Sequence, residues 1–115
     1  MQLSEAILAG AGLRPQAFGS YFTGTTRSDA CSCVIGGIYE VSFPGAALSH
    51  DAVVNRCESL CLLYPLIKSK ELLYCPECAG ETVKHDNLLN ILIHLNDDHR
   101  WTREQIAEYV KGLEW

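Results

Sequence analysis

A small, mainly α-helical single domain with a short β-turn knuckle is the fold class this sequence predicts. Three observations lead to it. The chain has 115 residues, the length of one ordinary domain and enough for one modest core. Apolar residues recur at intervals of three and four through most of it, which is the helical period. One Cys-Pro-Glu-Cys turn, Cys75 to Cys78, interrupts that pattern and is followed by two histidines, His94 and His99.

The elements follow in order. Leu3, Ile7, Leu8 and Leu13 predict a first helix over 3–13, with Ser4 as a cap and Gly12 and Pro15 at its end. Residues 15–29 mix Phe18, Tyr21 and Phe22 with Gly19, Gly24, Thr25 and Thr26, which reads as a short helical turn and then a loop. A second helix is expected over 29–41 with Asp29 as N-cap; the β-branched residues there also allow a strand. Gly36-Gly37 weakens that helix by about 1 kcal/mol per glycine, and a neighbouring helix packed closely over them would compensate.

Pro44-Gly45 marks a turn. Val53, Val54, Cys57, Leu60, Cys61 and Tyr64 predict one helix over 49–64, started by Ser49 or Asp51 and ended by Pro65. Leu72-Leu73-Tyr74 and Thr82-Val83 are short strand candidates flanking the Cys75–Gly80 turn. Residues 86–95 are apolar nearly all round, so this helix belongs at the centre of the core. Asn96-Asp97-Asp98 should break it, because these residues favour caps and turns. The last helix has the best-marked start: Thr102 and Gln105 form a capping box, and Trp101 and Ile106 a hydrophobic staple.

The strongest chemical signal is the spacing C-x2-C-x15-H-x4-H in Cys75, Cys78, His94 and His99. Zinc takes four tetrahedral ligands from thiolate and imidazole, and paired cysteines and paired histidines at these separations suit it. The expectation is one structural zinc ion, with residues 74–115 forming a zinc knuckle plus two helices within the 1–115 domain. In a regular helix His99 would point about 140° away from His94, so the helix must distort or end between them. Asn96-Asp97-Asp98 is placed to do that. His85 is the substitute ligand should His99 be exposed. A redox Cys-x2-Cys pair is disfavoured, because no βαβ unit surrounds the motif.

Cys31, Cys33, Cys57 and Cys61 leave a second question open. They could form another metal site or a disulfide, yet Cys57 and Cys61 fall on the apolar stripe of their helix, where a free cysteine packs as a small hydrophobe. The core reading is preferred. With six cysteines and no basic stretch before the apolar residues of Met1-Gln2-Leu3-Ser4-Glu5, a reducing, cytoplasmic location is expected. No apolar run approaches the roughly 20 residues of a membrane span.

Other functions are disfavoured. A catalytic zinc keeps an open position, whereas four good ligands are at hand here. Glu77 reads as a solvated knuckle residue rather than a general base, and His50-Asp51 as a helix start. The net charge is −5. From Cys75 onward four basic residues (Lys84, Arg100, Arg103, Lys111) face eight acidic ones. A general nucleic-acid grip is therefore not expected, because it needs cations on phosphates. Thr102 to Ala107 resembles the first helix of a helix-turn-helix, but a recognition helix should follow it, and Trp115 closes the sequence too soon.

The stretch His94-Leu95-Asn96-Asp97-Asp98-His99-Arg100-Trp101-Thr102-Arg103-Glu104-Gln105-Ile106-Ala107 resembles a block that closes small bacterial and phage proteins, where it reads HLND…W(T/S)REQIA. Leu13 to Gly19 and Cys33 to Glu40 are similar to further blocks of that group, the second reading CALGAAYEA. Together they cover about a quarter of the chain, in order; Gly37 departs from the usual alanine. The resemblance implies a cytosolic protein of bacterial or phage origin and transfers no activity. The function expected from all this is a non-enzymatic protein-binding or regulatory protein, a phage-encoded modulator of a host protein being the leading form. A small zinc-dependent hydrolase and a virion or assembly component are the alternatives.

Overall fold

The computed structural model describes residues 1–68, 72–78 and 85–114. In chain order these form α1 (Leu3–Ala11), β1 (Phe22–Thr23), β2 (Cys31–Ser32), α2 (Val34–Ser42), α3 (His50–Asn55) and α4 (Cys57–Leu63). A 3-10 turn at Pro65–Lys68 follows, then β3 (Leu73–Tyr74), β4 (His85–Asp86), α5 (Leu88–Asp97) and α6 (Arg103–Leu113). The described residues are thus mainly helical, with two small antiparallel sheets: β1 on β2, pairing Phe22 with Ser32, and β3 on β4, pairing Leu73 with Asp86. No helix among them is long and apolar enough to cross a membrane.

The glycine pair in α2 has the cause the sequence suggests. A Cβ on Gly10 of α1 would stand 2.5 Å from the Gly37 carbonyl carbon, and one on Gly36 would stand 2.2 Å from the Tyr21 carbonyl oxygen. Bare backbone at these points lets α1 lie directly on α2 and lets the chain at Tyr21, just before β1, run over the helix start. Ile7, Ile35, Ile38 and Tyr39 fill the space around that crossing. α5 is central, as its all-round apolar sequence requires: Leu88, Ile91, Leu92 and Leu95 are fully buried. α6 closes the core with Ile106, Ala107 and Val110.

Several expectations are corrected. α2 starts at Val34, not after Asp29. Asp29 instead accepts hydrogen bonds from the Thr25 and Thr26 amides and closes a turn, while the Cys33 sulfur caps the helix by accepting the Gly36 N–H at 3.4 Å. The expected helix over 49–64 is two helices that part at Arg56 (φ −110°, ψ 11°). There the Arg56 guanidinium lies 4.8 Å over the Phe43 ring. Ser4 does not cap α1. It is buried, and its amide and hydroxyl both donate to the Glu114 carboxylate at 2.8 and 2.7 Å. That places a negative charge at the positive end of α1 and ties the two ends of the described chain together. The expected helical turn in 15–29 is absent, with β1 in its place. Leu73-Tyr74 is a strand, but Thr82-Val83 lies outside the described residues.

Candidate metal centre

The knuckle begins where β3 ends. Cys75 is buried and Cys78 half-buried, and between them the chain turns at Pro76-Glu77. Burial pushes the Cys75 thiol up; the backbone N–H groups of Glu77 and Cys78, hydrogen-bonded to its sulfur, oppose that. Such amides are worth most when the sulfur is a thiolate, the form a metal requires.

The histidines come from the end of α5. This helix does not break at Asn96; it runs through Asp97 and then widens. The His99 N–H reaches back five residues to the His94 carbonyl at 3.3 Å, and the Trp101 N–H reaches six residues to Leu95 at 3.0 Å. Arg100 then turns with φ 53°. Widening the last turn supplies the rotation that a regular helix lacks, so His94 and His99 come to face one another, edge to face, with ring centroids 4.6 Å apart.

Four ligand atoms converge as a result. Cys75, Cys78, His94 and His99 each offer one, and all four lie within 4.8 Å of one another. Cys78 Sγ stands 3.1 Å from His94 Nε2 and 3.3 Å from His99 Nε2, and the two nitrogens are 3.0 Å apart. Hydrogen bonds cannot explain this triangle. An imidazole nitrogen either carries a proton or accepts one, so protons can serve at most two of the three edges. A central cation serves all of them. Standard zinc bond lengths give tetrahedral edges of about 3.3 Å between nitrogens and about 3.6 Å between nitrogen and sulfur, within about half an ångström of these three separations. The set could hold one metal ion.

Asp98 is the residue that sequence reasoning missed. Its Oδ2 lies 2.6 Å from His94 Nδ1. A carboxylate there accepts the Nδ1–H and leaves the Nε2 lone pair for the site, the usual outer support of a metal-bound histidine. Burial works to lower the His94 pKa, but its bonds to Cys78 and Asp98 together raise it. The signal was present in the sequence: positions 94 and 98 are four apart, so they share a helix face.

The remaining expected residues sort clearly. His85 is exposed on β4, stacked on Tyr74 at 4.1 Å, and is not part of the cluster. Glu77 is exposed and outside it too. Cys31, Cys33, Cys57 and Cys61 form no metal cluster among the described residues, and none is in a disulfide. Cys33 is buried, and Cys57 and Cys61 are half-buried beside Ile35, Ile38, Leu60, Ile67 and Leu89, which fits the core reading.

Asn96, expected to break the helix, is a buried anchor instead. Its Nδ2 donates to the Ala17 carbonyl at 2.9 Å, and its Oδ1 accepts from Gln16 Nε2 at 2.9 Å and from the Val34 amide at 3.1 Å. It joins the loop before β1, the start of α2 and the end of α5, and so fixes the helix end that carries both histidines. No family model matches the chain, and no curated protein or solved structure matches it.

Proposed function

We propose that Cys75, Cys78, His94 and His99 bind one structural zinc ion, and that the chain acts as a small cytoplasmic protein-binding or regulatory protein, encoded by a phage or bacterium and directed at a protein of the host. The observation that carries the reading is the completeness of the ligand set. Two sulfurs and two nitrogens lie close together, the donor set that zinc favours, and all four bound to one tetrahedral ion would leave no position for a substrate. When bound, the ion supplies a rigid cross-link between the knuckle and the end of α5, in a chain small enough for one such staple to matter.

Two features support the binding half of the reading. Leu62 is 83% exposed and its neighbour Leu63 is exposed beside it at the end of α4, apolar side chains that a partner would cover. The negative balance around the knuckle opposes a phosphate-gripping role. Cobalt substitution tests the closed site. The expected spectrum is tetrahedral and unchanged by added azide or cyanide; a spectrum that shifts with either anion shows an open position and favours a hydrolase.

A further inference from the structure

A cleft of about 140 Å³ lies at the end of α5, lined by Gly19, Ser20, Tyr21, Cys33, His50, Ile93, Asn96 and Asp97. Tyr21 and His50, both in the lining, stack on each other with ring centroids 4.7 Å apart and planes inclined by 17°. Asp97 is held in place: its Oδ1 accepts the Gly19 amide at 3.0 Å and Asn96 Nδ2 at 2.8 Å. Its Oδ2 has no donor among the described residues. Asp97 is the only carboxylate in the lining, and the lining contains no lysine or arginine.

We infer that this cleft binds a small organic cation, a guanidinium group above all. The volume suits a small group rather than a whole nucleotide, since cavities of about 150 Å³ hold a molecule the size of benzene. An anion would meet Asp97 with nothing to balance it, whereas a cation finds a fixed carboxylate oxygen and a net negative protein. Aromatic rings in the same lining as that carboxylate suit a planar guanidinium, which stacks on the outer face of a ring while its edge hydrogen-bonds a carboxylate. The group belongs either to a free guanidine or to an arginine side chain on a partner; the second source rests on the protein-binding reading above.

Amide NMR titration of the metal-loaded protein tests this with three probes: ethylguanidinium, the neutral isostere ethylurea, and the peptide acetyl-Gly-Arg-Gly-amide. The expected result is saturable shifts at Gly19, Ser20, Tyr21 and Asp97 with both cations and none with ethylurea. Asp97→Asn keeps an oxygen for the Gly19 and Asn96 bonds and removes the charge; it should weaken both cations at least tenfold. His50→Ala, at an exposed helix start, should weaken them without disturbing the remaining spectrum. A peptide that binds tighter than ethylguanidinium identifies a partner's arginine as the source, and equal binding identifies a free guanidine. Absence of saturable shifts, equal binding of ethylurea, or cation binding unchanged by Asp97→Asn would overturn the proposal.

Discussion

Asp98 sets the direction of His94, and its role can be separated from folding because the carboxylate is largely solvated. Asp98→Asn should leave the helical circular dichroism intact and weaken metal binding roughly 10- to 100-fold, the usual effect of losing the outer partner of a ligating histidine. Competition with a chelator of known affinity measures it. Cys33 makes a different prediction. Its burial pushes the thiol up to about 11 from an ordinary value of 9.0, so the folded chain resists an ionisation that the unfolded chain undergoes. Below pH 9 the thiol is neutral in both states and its contribution is complete; as pH rises from about 9 to 11 that contribution is lost, by about 3 kcal/mol in all. Denaturant melts should show this alkaline loss, and Cys33→Ala should show a smaller one.

Residues of this kind were unequally legible. The four residues of the candidate metal site announced themselves because metal geometry dictates the spacing of such sets. Asn96 did not: its partners Ala17, Gln16 and Val34 lie 62 or more positions away, and a polar residue at a helix end reads as a terminator whenever its long-range partners are unseen. Buried Arg103 was hidden for the same reason. Its guanidinium is satisfied by the Ser32 and Arg14 carbonyls and the Ser32 hydroxyl, none of them near it in sequence.

Among the elements, α6 shows local chemistry deciding the structure. Thr102 Oγ1 accepts the Gln105 amide at 3.1 Å, and Gln105 returns the bond to the Thr102 N–H at 2.9 Å. Because partner and cap are three residues apart, the sequence alone locates the start. Thr102→Ala should cost about 1 kcal/mol in thermal or denaturant melts. Trp101 is half-buried rather than core, so truncating it should cost less than the roughly 3–5 kcal/mol of a buried tryptophan. α2 shows the opposite case. Both Asp29 and Cys33 can cap, and the choice falls to Cys33 because β2 pairs with β1 through Cys31 and Ser32, which holds the intervening chain extended. The parting of α3 from α4 was equally invisible, since the apolar stripe continues across Arg56 without change of period.

At the scale of the molecule, α1, α2, α5 and α6 bury most of the large apolar side chains, and the Cys/His cluster sits where β3, the knuckle and the end of α5 meet. The helix-rich class was legible because the 3.6-residue period survives any arrangement of helices. Their arrangement was not, because it turns on close approaches such as Gly10 on Gly37 that no single segment reveals.

The most direct measurement is the metal content of the protein purified without added metal, read together with its thermal melt before and after chelation. One zinc per chain, lost together with a cooperative fold when a strong chelator is added and lost equally in Cys78→Ser, is the predicted result. A chain that melts cooperatively at the same temperature with no stoichiometric metal would contradict it.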